Sequence, residues 1–382
     1  MHRIDTATAS ADENGAGKDG FTDGVPPGTP PTNLDAAFFN DLQEEICNVI
    51  EDQGIALVSG TQTQLLSAID IRMSKMALSN LTERAHPKNF ALADVAYGNG
   101  LLVAVGNPDG TDAYIVSSPE GKTWTERSNA KNVTLGVVIY AGGLFVAAGS
   151  PDGSDAYILT STDGITWTER SNPKNYAIKG IAHNGTIFVA VGWADGADAY
   201  IITSTDGITW TERSNPKNLQ LNGVAWNGTV FVAVGDADGT DSYIITSTDG
   251  ITWTERVSPK AQDLYAVIYV SSLGLFVAAG EYDGVDLFIV TSPDGTTWTE
   301  RTNPVTEETT DIFYADGVLV IPLLNSDNFL TSVDAITWSL LPSTDAGLTG
   351  GLTGMTHALN RFVFVGGANG DNANIFVSLA NP

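Results

Sequence analysis

Ser161-Thr-Asp-Gly-Ile-Thr-Trp-Thr-Glu-Arg170 decides the fold, because the chain keeps returning to it. The run recurs at Ser204–Arg213 and Ser247–Arg256, with looser copies at Ser118–Arg127, Ser292–Arg301 and Ser332–Leu341. Its tryptophans (Trp124, Trp167, Trp210, Trp253, Trp298 and Trp338) stand about 43 residues apart, the period of a four-stranded propeller blade. Within one unit, strands are expected at Ala177–His183, Ile187–Val191, Tyr200–Thr203 and Trp210–Arg213. Asn184-Gly185, Ala194-Asp-Gly-Ala-Asp198 and the Ser-x-Asp-Gly-x-x-Trp turn punctuate them.

Six units end at or near Arg127, Arg170, Arg213, Arg256, Arg301 and Leu341. Three further strands follow, around Gly354–His357, Phe362–Val365 and Ile375–Leu379, with no fourth. Leu81-Thr-Glu-Arg84 aligns with Trp124-Thr-Glu-Arg127 and can supply the missing strand from the other end of the chain, leaving no open seam. The expected fold is mainly β: a seven-bladed β-propeller of four-stranded blades over residues 80–382, closed by strand 81–84. An extended arm, residues 1–33, and a region of two short α-helices, residues 34–79, come before it.

The 382 residues carry 18 basic and 45 acidic side chains, net −27, which argues against nucleic acid and against holding an anionic membrane by charge. Cys47 is the sole cysteine, so neither an intramolecular disulfide nor a cysteine metal site is available. No apolar run is long enough to span a membrane, and residues 1–30 lack a signal-peptide core, so synthesis in the cytoplasm without membrane insertion is expected.

The arm is rich in Gly, Pro, Ala and Asp and ends in Val25-Pro-Pro-Gly-Thr-Pro-Pro31; order in it would require a partner such as a neighbouring subunit. Leu34, Phe38, Leu42, Ile46, Val49 and Ile50 then share one helical face, with Gly54 as the stop. A second helix is expected from about Thr61 to Met76, with Leu65, Leu66, Ile69, Met73 and Met76 on its apolar side. Two such helices bury both faces by self-association as a homotrimer, or by packing on their own propeller.

Asn40, Gln43, Glu44, Glu45 and Ile46, followed by Thr63, Gln64, Leu65, Ala68 and Ile69, resemble the attachment segment of bacteriophage tail fibre proteins over about fifty residues. The resemblance implies a virion tail or tail-like component whose arm meets other tail or baseplate proteins. The repeated turn resembles the Asp-box of sialidase-like and BNR-repeat propellers. In that family the box is structural, its Asp bonding its own turn and its Trp packing between blades. Asp163, Asp206, Asp249 and Asp294 match the Asp, and Trp167, Trp210, Trp253 and Trp298 the Trp. Asp334 matches too, but Glu120 replaces the Asp in the first copy and Ala335 the Gly in the sixth.

A sialidase needs arginines converging from several blades. Here Arg84, Arg127, Arg170, Arg213, Arg256 and Arg301 are one repeat position on the outermost strand, and only Arg3, Arg72 and Arg361 remain, so no catalytic residue is assigned and no enzyme is expected. The Asp-Gly-x-Asp turns at 109–112, 152–155, 195–198, 238–241 and 283–286 admit two readings, a ring of Ca²⁺ ligands or plain hairpin chemistry, and fivefold repetition favours the latter. No other metal or cofactor is expected. His183 and His357 occupy a slot held by Tyr or Trp elsewhere, a packing position.

Pattern-breaking residues mark the candidate ligand site. Trp193 replaces Asn107, Ser150, Asp236 and Glu281, and Tyr176, Tyr282 and Lys179 (or Lys174 and Lys217) complete a surface fit to stack on a sugar. The expected function is a tail fibre subunit anchored by its N-terminus, displaying its propeller for recognition of a host-surface glycan or protein. Its alternatives are a structural decoration of a baseplate, capsid or contractile injection particle, and third a glycan-degrading enzyme.

Overall fold

The computed structural model describes residues 36–378 apart from 56, 59–62, 325, 327, 343–350 and 368–374, and the side chains of 36–41. The expected arm, residues 1–33, and the side chain of Phe38 lie outside the described residues. The chain divides into a helical unit and a β unit.

In the helical unit, α1 spans Ala36–Glu51 and α2 spans Gln64–Leu78. Gly54 ends α1 as its sequence suggests, with φ +79° and its N–H donating to Glu51 O at 2.8 Å. The second helix starts later than Thr61: the Thr63 carbonyl accepts from Ser67 N at 2.9 Å, making Thr63 the capping residue. The buried stripe of α1 is Gln43, Cys47 and Ile50, with Ile46 and Val49 half-buried and Leu42 exposed. On α2, Ala68, Ile71 and Leu78 are buried and Leu65 is half-buried, whereas Leu66, Ile69 and Met76 stand 60%, 40% and 64% exposed. No helix among the described residues is long and apolar enough to cross a membrane.

The β unit is seven four-stranded antiparallel sheets. Blade 3 shows the plan: Ile178–His183 innermost, then Phe188–Ala194, Ala199–Ser204 and Thr211–Arg213 outermost. Blades 1, 2 and 4 to 6 repeat this order along the chain. Blade 7 joins both ends of the propeller, its sheet running Leu352–Ala358, Arg361–Gly366, Ile375–Ser378 and then Leu81–Arg84. Leu81 pairs with Ser378 and Arg84 with Ile375, so the seventh blade takes its outer strand from before the first.

The middle strands carry Val, Ile, Ala, Phe and Tyr on both faces, because each sheet is sandwiched between two others. The tryptophans seal these interfaces. Trp210 is buried with Val146, Ile158 and Ala148 of blade 2 and Ile181, Phe188 and Ile202 of blade 3.

The Ser-x-Asp-Gly-x-x-Trp turn is self-contained. Asp163 Oδ1 accepts from Ile165 N and Thr166 N, both at 2.8 Å, while Ser161 Oγ donates to it at 2.9 Å and accepts from Gly164 N at 2.8 Å. These bonds hold the Asp163 carboxyl down at about 2. In the first copy only the Ser118 hydroxyl accepts from the turn, because the longer Glu120 does not place its carboxylate there. Glu120→Asp should therefore stabilise the protein by about 1 kcal/mol, read as a raised midpoint in urea. Ala335 adopts φ +60°, and its methyl, buried beside Trp338, offsets part of that cost.

A repeated glycine shapes the axis. A Cβ on Gly192 would lie 1.8 Å from Ala177 O. Its absence lets the strands close so that Trp193 N donates to Ala177 O at 3.0 Å, with a bulge between Ile178 and Gly180. Lys179 is the bulged residue, and the bulge recurs in the innermost pairs of blades 1, 2, 4, 5 and 7.

Candidate functional site at the mouth of the central channel

The bulges line a channel down the axis, a cavity of about 430 Å³ walled by the innermost strands of all seven blades. The bulge position holds Ala93, Gly136, Lys179, Asn222, Tyr265, Thr310 and Thr353, no two neighbours alike until the two threonines. The leucine or isoleucine before it in blades 1 to 5 and 7 hardly changes. Three of these residues stitch blade to blade: Asn222 Nδ2 donates to Leu264 O at 3.0 Å, Thr310 Oγ1 to Leu352 O at 3.3 Å and Thr353 Oγ1 to Leu92 O at 2.9 Å.

Two carboxylates sit one residue further along. Asp94 accepts from Val95 N at 2.7 Å and from Val138 N of blade 2 at 2.8 Å; Asp311 accepts from Ile312 N at 2.8 Å. Each is half-buried, open to the channel but enclosed by the inner strands. Burial pushes the Asp94 carboxyl up to about 7, and burial and then the Asp94 charge push Asp311 well up.

A carboxyl raised in the folded state keeps a proton that the unfolded chain has lost. Its stabilisation is complete below about pH 4 and falls away as pH rises through about 7. Thermal melts should therefore show the wild type losing stability from pH 5 to pH 8. Asp94→Asn should narrow that loss by ~3–5 °C, and an unchanged gap would contradict the assignment.

Around the mouth, the residues flanking the bulge are also irregular. Burial and then the surrounding charges of Asp263, Glu281, Glu308 and Asp236 push the Tyr265 phenol up to about 12. Gln220 and Asn222 donate to Asp236 Oδ1 at 3.4 and 2.9 Å, and Ala237 N donates to Asp263 Oδ1 at 2.8 Å. Lys179 is exposed and makes no ion pair among the described residues, its charge favouring the Asp236 carboxylate without overcoming that group's burial. Trp193, 42% exposed, holds in blade 3 the position that Asp236 and Glu281 hold in blades 4 and 5.

The other lysines on this face are spent on structure. Lys174 Nζ contacts Asp195 Oδ2 and Glu212 Oε1, the latter at 2.5 Å, and Lys217 contacts Asp238 at 2.7 Å and Glu255. Lys88, Lys131 and Lys260 repeat the arrangement. The acidic triads Asp109/Asp112/Glu126, Asp152/Asp155/Glu169, Asp195/Asp198/Glu212, Asp238/Asp241/Glu255 and Asp283/Asp286/Glu300 thus each carry an ammonium of the chain itself. The first Asp of each turn also caps it: Asp195 Oδ1 accepts from Ala197 N at 2.8 Å and Asp198 N at 3.0 Å. The second ties the loop, Asp198 Oδ2 accepting from Asn215 N at 3.0 Å.

That loop latches adjacent blades. Asn215 Nδ2 donates to Ala199 O of blade 3 at 2.6 Å, while Tyr243 OH of blade 4 donates to Asn215 Oδ1 at 2.8 Å. At the next junction both partners change together, to Ser258 and Phe288.

Of the four ligand residues expected from sequence, only Lys179 lines the channel cavity. Tyr176 packs against Tyr200 at 6.1 Å and donates its hydroxyl to Asp195 O at 2.9 Å, making it part of a blade interface. Tyr282 is 37% exposed beside the next turn, in register with Leu287. His183 packs at a tilt against Phe188, ring centroids 4.2 Å apart, as a packing residue does. Asp94, Asp311, Tyr265, Glu281 and Glu308 were not expected. Aligning the inner strands would have found Tyr265, since the bulge position varies where the leucine or isoleucine before it does not.

A model of the DUF6242 beta propeller domain matches residues 174–313, from the loop entering blade 3 to the start of blade 6. In its N-terminal part the chain is 56% identical over 70 residues to the uncharacterized protein StfP of Escherichia coli (strain K12). The match covers 18% of this chain and about a third, 34%, of StfP. Virginiamycin B lyase from Staphylococcus aureus has a similar fold, with a TM-score of 0.64 at 13% identity over 79% of this chain and 99% of the lyase. YCF48 bound to D1 peptide gives a TM-score of 0.59 at 14% identity over 79% and 95%. At these identities the likeness is one of fold.

Proposed function

We propose that the chain is a subunit of a phage or phage-like tail fibre, anchored through its N-terminal region and displaying the propeller to a host surface. The observation that carries this reading is the split along the chain. The StfP-like part is N-terminal, as is the segment whose motifs resemble tail fibre attachment regions, while the propeller is a separate β unit. Recognition rather than catalysis suits the arginines: Arg84, Arg170, Arg213, Arg256 and Arg301 lie on outermost strands, Arg127 directly follows one, and Arg361 alone stands elsewhere among the described residues of the propeller. The lyase neighbour shares the fold and carries no activity across at 13% identity.

The exposed stripe Leu66, Ile69 and Met76 on α2 supports assembly through the helices, and three copies would cover it. Light scattering on the full-length protein should give a trimer. Leu66→Asp with Ile69→Asp should give a monomer with an unchanged propeller melt, and a monomeric wild type would sink the assembly claim. For the location, gold-labelled antibody to the propeller should decorate the distal tail appendages of purified particles. Label on the capsid, or none, would point instead to a decoration protein or to no virion role.

A further inference from the structure

We propose that the mouth of the central channel binds an organic cation, a primary ammonium group seated between the blade 4–6 carboxylates and the ring of Tyr265. The inference deepens the recognition reading and rests on it. The site is a real cavity of about 430 Å³, large enough for a sugar residue or a short aliphatic amine. Its polar groups are unequally spent. Asn222, Thr310 and Thr353 are committed to backbone carbonyls, and both oxygens of Asp94 accept from backbone N–H groups.

Asp311 is different. One of its oxygens accepts from Ile312 N, no described donor meets the other, and Asp94 is close enough to oppose its charge. Glu281 and Glu308 likewise have no side-chain bond among the described residues that would neutralise them. Four carboxylates (Asp236, Asp263, Glu281 and Glu308) thus flank one small cavity against a single lysine, while Asp94 and Asp311, whose burial favours their protonated forms, line it.

Among the described residues, each close-set triad of carboxylates carries a lysine from the neighbouring loop. The channel mouth breaks that rule. Asp263 and Glu308 stand in loops that enter blades 5 and 6, and the loop before blade 6 has no lysine, reading Asn303-Pro304-Val305. The aromatic ring of Tyr265 lines the cavity beside these charges, the arrangement that favours an ammonium over a hydrated inorganic ion. A channel with low-dielectric walls focuses this potential, and a ligand bearing sialate or phosphate would be repelled.

The test is calorimetry on the full-length protein at low salt. Glucosamine, N-acetylglucosamine, glucose and 1,5-diaminopentane serve as probes, with calcium chloride as the inorganic cation. Glucosamine or the diamine should bind, at least about tenfold tighter than N-acetylglucosamine or glucose, and weaken as salt rises. Which of the two binds tighter tells an amino sugar from an aliphatic amine. Glu281→Gln with Glu308→Gln should weaken binding about tenfold. Lys179→Ala should tighten it several-fold, because it removes the competing cation, whereas a neutral-glycan site that used Lys179 as a donor would weaken. Binding of the acetylated sugar alone, of calcium alone, or of no probe overturns the proposal. If labelled protein still binds host cells in that case, recognition stands and only the channel site falls.

Discussion

Replacing Leu81-Thr82-Glu83-Arg84 by four glycines should lower the melting temperature of the propeller by roughly 10 °C. The segment pairs along its length with Ser378–Ile375, and Leu81 is 5% exposed. Losing that ladder and the leucine removes about 5 kcal/mol in hydrogen bonding and burial. A chain of this size shifts by about 2 °C for each of those. The damage also exposes the edge of the Ile375–Ser378 strand, an unpaired ladder at the outer edge of blade 7. Concentration-dependent association should therefore appear with the loss of stability. A melt within 2 °C of wild type would mean that the strand decorates the propeller without closing it.

Trp210→Ala should cost about 3–5 kcal/mol, the range for deleting a buried aromatic. Trp210 is 6% exposed and fills the seam between blades 2 and 3, its ring 6.3 Å from Phe188. Trp210→Phe should recover part of the loss, because it restores a ring to the cavity. The Trp210 indole N–H has no hydrogen-bond partner among the described residues, so none is lost. Urea unfolding reads both variants. If Trp210→Ala lost less than about 1 kcal/mol, the seam would be held by the strands alone.

The architecture was legible because a blade is a local pattern repeated. Asn184-Gly185, Asp195-Gly196 and Ser204-Thr205-Asp206-Gly207 each announce a turn from their own chemistry, and Trp210 marks the strand that follows. Even the closing strand was readable, since Leu81–Arg84 copies the end of every blade. The site was less legible. Trp193 drew attention as a large residue in a small-residue slot, and it is exposed. Tyr176 is ambiguous, because an aromatic ring reads the same in sequence whether it stacks on a ligand or packs at a tilt, as here, against Tyr200. Tyr265 was hidden by the bulge, which turns one residue of the inner strand toward the axis. A strict period of two does not show that rotation. The lysines needed coordinates too, since Lys174 meets Glu212 only when the loop folds over its own blade.

The most direct measurement is binding of labelled full-length protein to cells of the host that yields the particles, with particle adsorption as the competitor. Saturable binding that blocks adsorption, and that falls several-fold on Trp193→Ala at unchanged stability, is the predicted result. A trimeric, folded protein that leaves cells unlabelled and adsorption untouched would contradict recognition and leave a structural part of the particle.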